Sequence, residues 1–221
     1  EITTRLVGSE MCIRDSHYSI TSEKKILTAL RIVANSNSYH PVREYLNHLD
    51  WDGTPRVRFA LHHFLGAEVS DLNEELLRLF MLGAVTRIFQ PGYKFDMMLC
   101  LTGRQGAGKS SFFRFLVGND EWFSDDLRKL DDENVYRRMM GHWIIEMSEM
   151  IATGNAKNVE EIKSFLSRQK DTYKVPYDKF PADRPRQCVF AGTSNNLDFL
   201  PHDRSGNRRF LPIRIDLEKA E

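Results

Sequence analysis

Long apolar runs and clustered cysteines are both missing from this sequence. The longest apolar runs, such as MMLCL at 97–101, fall far short of the roughly 20 residues that span a membrane, and no secretory signal is recognisable. The three cysteines are widely scattered and form no CxxC or Cys/His cluster, which argues against a zinc site and predicts buried thiols in a reducing compartment. We therefore expect a cytoplasmic protein that does not enter a membrane.

Charge of either sign is not in excess, because 31 basic residues balance 31 acidic ones. A nucleic-acid partner would have to be held by a local basic patch. With 221 residues, 41% of them hydrophobic, the chain can bury one sizeable core and a smaller helical unit. Residues 5–16, RLVGSEMCIRDS, look like a translated sequencing adapter, so we assign residues 1–16 to a non-native segment.

Two hydrophobic patterns divide the remaining chain. Residues 17–95 have helical spacing, and one of the predicted helices begins at Asp71. Its apolar face would carry Leu72, Leu76, Leu79, Phe80 and Gly83. From Phe95 onward, short apolar runs alternate with helical segments, which is typical of a parallel α/β sheet. We predict strands at 97–103, 142–147, 186–193 and 208–215, and helices at 109–117, 131–140 and 158–168. The predicted fold is α/β, with a helical N-terminal domain over 17–95 and a sheet domain over 96–221.

A phosphate-binding loop follows the first predicted strand. The stretch LTGRQGAGKSSFF at 101–113 fits the pattern G-x-x-x-x-G-K-[ST] between a strand and a helix, which is the context that the pattern requires. Glycines let backbone amides turn around phosphate oxygens, and the helix adds its positive end. The predicted nucleotide-binding residues are Gly103, Arg104, Gln105, Gly106, Ala107, Gly108, Lys109, Ser110 and Ser111. Lys109 would contact the β- and γ-phosphates, and Ser110 would hold Mg²⁺.

Candidates for hydrolysis follow the later strands. Glu146 and Glu149 lie at the end of WIIEMSEM. Glu146 would hold Mg²⁺ and Glu149 would polarise the attacking water, with exchanged roles as one alternative and two solvated glutamates as the other. Asn195 follows the third strand and would bind the γ-phosphate or the water, although Asn is also an ordinary turn residue. Arg208 and Arg209 open the fourth strand, either as solvated charges or as an arginine that completes the site of a neighbouring subunit.

A basic segment with interleaved aromatic rings lies between the second and third strands. Residues 163–186 include seven basic and three acidic side chains, together with two tyrosines and Phe180. Cations that follow phosphates, beside rings that stack on bases, are what single-strand binding requires. The predicted DNA contacts are Lys163, Lys170, Tyr173 and Lys174. The alternative is a solvated loop whose rings pack on the core.

Together these stretches resemble the virulence-associated protein E family of phage- and island-encoded proteins, relatives of the superfamily 3 helicases within the AAA+ class. The resemblance rests on REYLNHLDWDGTPR, LGAVTRIFQPGYKFDMMLCLTGRQGAGKSSFF, WIIEMSEM, VEEIKSFLSRQKDTYKVPY, PRQCVFAGTSN and DRSGNRRFLPI. It implies an ATPase core using ATP and Mg²⁺, with Asn195 as sensor and Arg208 or Arg209 as a finger. It also implies a hairpin at about 170–180 that projects into the channel of a hexameric ring.

The resemblance further implies a single-stranded or forked DNA partner, a primase-like module upstream and a missing C-terminal part. We therefore expect a replicative DNA helicase of a phage or mobile element. Two alternatives stay open. One is a module that binds DNA or a replication partner and is switched by nucleotide, and the other is a P-loop phosphotransferase.

Overall fold

The computed structural model describes residues 22–127, 130, 135–148, 156–174, 180–196 and 207–220. The chain forms two compact units, Glu1–His48 and Leu49–Glu221. Helices α1 (Glu23–Ser36) and α2 (Pro41–Asn47) belong to the smaller unit. Pro41 begins α2, where its missing N–H costs no hydrogen bond, and the His40 ring accepts from the backbone N–H of Arg43. The predicted adapter segment lies outside the described residues.

The larger unit begins with two helices, α3 (Val57–Leu65) and α4 (Asp71–Phe89). The Ser70 hydroxyl caps α4 by accepting from the backbone N–H of Asn73. Gly66, with φ of +63°, ends α3, and a Cβ there would lie 1.9 Å from the Asp216 carbonyl oxygen. The sheet unit therefore includes two helices that the sequence pattern placed in the helical N-terminal region.

The predicted apolar face of α4 is partly wrong. Phe80 and Gly83 are buried as predicted, but Leu72 is 66% exposed. The remaining buried positions are Leu77, Ala84, Arg87 and Ile88. The apolar residues of this helix occur all round its axis, so their spacing did not identify the side that meets the sheet.

Five parallel strands form the main sheet. They are β1 (Met98–Thr102), β2 (Phe123–Ser124), β3 (Ile144–Met147), β6 (Val189–Ser194) and β7 (Phe210–Arg214), in the order β2-β3-β6-β1-β7. Every residue of β1 and β6 is buried, because a parallel sheet is covered on both faces and its strands are apolar throughout. The α/β class and the four predicted strands are confirmed; β2 was not predicted, because two residues carry no periodic signal.

The other described helices and strands of the larger unit are α5 (Lys109–Leu116), α6 (Val135–Met139), α7 (Ala156–Leu166) and the strands β4 (Lys170–Tyr173) and β5 (Ala182–Pro185). Short 3-10 turns cover Asp120–Trp122, Asn207–Arg209 and Leu217–Lys219. The antiparallel pair β4–β5 is a separate hairpin in which Asp171 lies opposite Arg184. A hairpin was expected at about 170–180, and residues 175–179 lie outside the described residues. Within the described part of the chain, no helix combines the length and apolarity that crossing a membrane demands.

Candidate functional site

The loop from Gly103 to Gly108 joins β1 to α5 and leads directly into the helix. Gly106 and Gly108 have φ of +81° and +73°, a region in which residues with a Cβ are strained. A Cβ on Gly103 would lie 2.8 Å from the carbonyl oxygen of Ile215. Around Gly106, by contrast, a Cβ would meet nothing within 4 Å. The glycines therefore let the backbone turn sharply and leave an open concave surface at the N-terminus of α5.

The Lys109 ammonium lies inside this loop. It donates to the carbonyl oxygens of Gly103 and Arg104 at 2.8 and 2.7 Å, and to Oδ1 of Asn195 at 3.0 Å. Burial lowers the pKa of Lys109, because the charged form loses hydration, while the nearby Glu146 carboxylate acts in the opposite direction. Lys109 and Asn195, two of the predicted site residues, are therefore in direct contact, which the sequence did not predict.

A second cluster is centred on Glu146, whose side chain is 0% exposed. Its Oε1 accepts from the hydroxyls of Ser110 at 2.8 Å and Thr193 at 2.5 Å. Its Oε2 is buried and has no hydrogen-bond partner among the described residues. A buried carboxylate oxygen without a partner is costly, so this atom is available to a cation or a water. Thr193 was not among the predicted site residues, because a threonine before a turn gives no distinctive signal.

Parallel topology explains why these residues meet. The loop follows β1, Glu146 lies on β3, and Thr193 and Asn195 lie at the end of β6, so three neighbouring strands present them at the same edge of the sheet. Ligands of open α/β sheets bind at this carboxyl edge. Of the other predicted loop residues, Ala107 is buried and Arg104, Gln105 and Ser111 are exposed. Glu149 lies outside the described residues.

The two arginines lie at the opposite edge of the sheet. Arg208 and Arg209 precede β7, whose first residue, Phe210, pairs with Met98 at the start of β1. The Arg209 Nε donates to Asp96 at 3.2 Å, and Arg208 is exposed. The length of β1 separates them from the phosphate loop of their own chain, about 13 Å for four residue steps. Within one chain these arginines therefore do not join the candidate site.

The predicted DNA contacts differ in accessibility. Lys174 is exposed, and Lys170 is exposed but paired with Asp183. The Tyr173 ring stacks on Tyr136 with centroids 5.3 Å apart. Lys163 is only 4% exposed, and its ammonium donates to Glu160 at 2.7 Å. Because a DNA phosphate would have to reach a buried group, the structure argues against Lys163 as a contact.

A buried ion pair holds the base of the hairpin, and sequence reasoning did not identify it. The Arg186 guanidinium donates to both carboxylate oxygens of Asp171, at 2.6 and 2.8 Å, and to the Phe165 carbonyl at 2.6 Å. Its charged plane also lies over the Phe165 ring, 4.3 Å from the centroid. In the sequence, Arg186 is one of seven basic residues between 163 and 186, and nothing there shows which of them is buried.

Comparison with known proteins agrees with this architecture. The model of the virulence-associated protein E-like domain matches residues 46–221. The apo A-form structure of the NrS-1 C-terminal region has 15% identity and a TM-score of 0.53, covering 76% of this chain and 39% of that chain. A second apo A-form structure of that region has 19% identity and a TM-score of 0.49, with coverages of 74% and 37%. The chain thus spans about two fifths of the length of these structures. No curated protein matches. Since the family model covers most of the sequence, the chain belongs to the virulence-associated protein E-like domain family.

Proposed function

We propose that this domain is a P-loop ATPase of AAA+ type that acts on DNA as a replicative helicase of a phage or mobile element. The observation that carries the proposal is the meeting of Lys109, Ser110, Glu146 and Asn195 at the carboxyl ends of three parallel strands. The family membership and the shared fold are consistent with it.

The residues present fit a magnesium nucleotide. The loop glycines give an open surface of backbone amides at the start of α5, which suits phosphate oxygens. Ser110 and Glu146 offer a hydroxyl and a buried carboxylate with one oxygen unpartnered among the described residues, and such oxygen ligands suit Mg²⁺. When bound there, Mg²⁺ would neutralise the negative charge that develops on the transferred phosphoryl group.

Each residue then has a distinct task. Lys109 replaces one or more of its three present acceptors with phosphate oxygens, which places positive charge beside the bond that breaks. Asn195, released from Lys109, can orient the γ-phosphate or the attacking water. Thr193 keeps Glu146 in place through its hydroxyl. Glu149 is, in this proposal, the group that polarises the attacking water.

The DNA side of the proposal rests on the hairpin. Lys174 lies at the outer end of β4, and Phe180 near the start of β5 is 77% exposed. A cation and an unburied ring at the outer part of one hairpin suit contact with phosphates and bases of single-stranded or forked DNA. The position of Arg208 and Arg209 at the far edge of the sheet favours action on the site of a neighbouring copy, as in a hexameric ring.

Steady-state ATP hydrolysis with and without single-stranded DNA tests the proposal. We expect Lys109→Ala to lower the rate by at least about a hundredfold, as for loss of one charge-stabilising donor. Lys94→Ala removes an exposed lysine ahead of β1 and is the matched control, with an unchanged rate. Lys174→Ala should keep the basal rate and lose stimulation by DNA.

Three results would contradict parts of the proposal. An unchanged rate of ATP hydrolysis in Lys109→Ala would refute the proposal that this loop forms the ATPase site. Hydrolysis that DNA does not stimulate would favour a phosphotransferase, and this would be supported by turnover as a monomer. Tight ATP binding with negligible turnover, unchanged by Glu149→Gln, would favour the nucleotide switch.

A further inference from the structure

The Tyr173 ring on the hairpin is engaged by two protein side chains. It stacks on the Tyr136 ring, with centroids 5.3 Å apart and planes within 4° of parallel, and the Arg184 guanidinium lies over it at 5.2 Å from the centroid. Stacked aromatic pairs and cations over a ring are both favourable contacts, which a DNA base would have to displace. The ring is therefore better suited to hold the hairpin in place than to stack on a base.

This tyrosine stack lies at the end of β4 that leads to the proposed DNA contacts. Tyr173 is the last residue of β4, and the exposed Lys174 follows it directly. Toward the other end of the strand, the Asp171 carboxylate accepts from the buried Arg186 guanidinium. Strand β4 is thus held by an ion pair on one side and by a ring on the other. Displacement of Lys174 by bound DNA would therefore act directly on the stack.

Tyr136 connects the stack to the interior of the larger unit. It lies on α6, and its hydroxyl accepts from the Arg168 guanidinium at 3.0 Å. Its side chain packs against the buried cluster that contains Ile145 and Met147. Helix α6 is itself anchored by Val135, which is 0% exposed. The stack therefore joins the hairpin to the main core through side-chain packing, in addition to the chain connections at the ends of the hairpin.

The same cluster lies behind the carboxylate of the candidate nucleotide site. Ile145 and Met147 flank Glu146 on β3. Because successive side chains of a strand point to opposite faces, these two residues face the cluster while Glu146 faces Ser110 and Thr193. Helix α6 also leads into β3 through a short connection. Since packed interiors transmit strain, a shift of α6 would act on the strand that carries Glu146.

We propose that Tyr136 and Tyr173 are positioning residues that couple binding of single-stranded DNA at the hairpin to the position of Glu146, an inference that rests on the proposed function. DNA held at Lys174 displaces the end of β4, the Tyr173 ring moves against Tyr136, and the cluster behind them passes this movement to β3. Neither tyrosine touches DNA or nucleotide in this scheme. Their role is to make hydrolysis depend on DNA, so that the triphosphate is consumed mainly when a strand is bound.

The test measures ATP hydrolysis by the full chain while single-stranded oligothymidylate is titrated. Tyr136→Ala removes one ring of the stack, Tyr136→Phe keeps the ring, and Tyr39→Ala removes a 77% exposed tyrosine of the smaller unit as the matched control. We expect Tyr136→Ala to lower the ratio of stimulated to basal rate about two- to twelvefold, the effect of one aromatic pair on an equilibrium. The DNA concentration for half-maximal stimulation should stay within about twofold of the wild type. Tyr136→Phe and Tyr39→Ala should keep the wild-type ratio.

Tyr173→Leu gives an independent readout if Tyr136→Ala does not fold, because leucine keeps apolar volume at the site and removes the stacking ring. It should lower the ratio as well. An unchanged ratio in either variant, an equal loss in Tyr136→Phe, or a weakened DNA affinity that accounts for the whole loss would overturn the coupling role while leaving the ATPase and its DNA contacts intact. A wild type that does not hydrolyse ATP, or that DNA does not stimulate, would instead overturn the proposed function, and this inference with it.

Discussion

Removal of the Arg186 guanidinium is expected to destabilise the larger unit strongly. The side chain is 1% exposed and its partner Asp171 is 4% exposed, so Arg186→Met leaves a buried carboxylate with two hydrogen bonds missing. The Phe165 carbonyl loses its donor as well. Breaking one side of a buried ion pair costs about 3–5 kcal/mol. At roughly 2–4 °C per kcal/mol for a chain of this size, the unfolding midpoint should fall by roughly 6–20 °C.

A double-mutant cycle separates the pair from the packing around it. Arg186→Met and Asp171→Leu are measured singly and together by urea and thermal unfolding. Because two apolar groups of similar volume often replace a buried pair at little cost, the double variant should be more stable than either single variant. Lys170→Ala is the control, because it removes the exposed ion pair between Lys170 and Asp183 in the same hairpin. It should leave the unfolding midpoint nearly unchanged.

The reasoning would be refuted by a small effect or by additivity. A loss of less than about 1 kcal/mol in Arg186→Met would mean that water reaches Asp171 and replaces the guanidinium, as at an exposed site. A double variant whose loss equals the sum of the single losses would mean that the two side chains act through separate contacts.

Two further predictions concern thiols and the phosphate loop. In a Cys12→Ser chain, the thiols of Cys100 and Cys188 should not react with a disulfide reagent at pH 8 until the protein is unfolded. Burial both blocks access of the reagent and raises the pKa of each thiol. Rapid labelling of the native protein would contradict this. Gly108→Ala should lower the free energy of unfolding by about 1–2 kcal/mol, because the φ of +73° at this position strains any residue with a Cβ. Calorimetry should also show weakened binding of tripolyphosphate. Stability and binding equal to those of the wild type would contradict the assigned backbone role.

The sequence contained enough local information for the sheet and for the centre of the candidate site. Continuous apolar runs predicted four of the five main strands, since strands that are buried on both faces need no alternation. The phosphate pattern defines its own strand–loop–helix context, so Lys109 and Ser110 followed from it. Parallel topology then placed Glu146 and Asn195 at the same edge as the loop, and the family resemblance added the sensor role of Asn195.

Buried polar residues could not be predicted in the same way. Arg87 was missed because it is charged, yet it is 1% exposed and donates to three backbone carbonyls, those of Tyr93, Phe95 and Cys188. Tyr93 and Phe95 follow α4 closely, but Cys188 lies 101 residues further along the chain, and its approach to Arg87 cannot be predicted from neighbouring residues. The burial of Lys163 was missed for the same reason, since it is decided by the packing of α7 and not by its neighbours in sequence. Composition predicts that such charges are exposed, and tertiary contacts override it.

Strand β6 joins the candidate nucleotide site to the base of the β4–β5 hairpin. Its carboxyl end carries Thr193 and leads to Asn195 beside Lys109, while Arg186 lies three residues before its first residue and holds the hairpin. The strand spans about 17 Å and is buried along its whole length between β1 and β3, so it cannot bend locally without breaking both ladders. The position of the hairpin relative to the phosphate loop therefore depends on β6 and on the Arg186–Asp171 pair at its start. A change at this pair should alter stability and DNA-stimulated hydrolysis together, whereas a change at the exposed Lys174 should alter only the second.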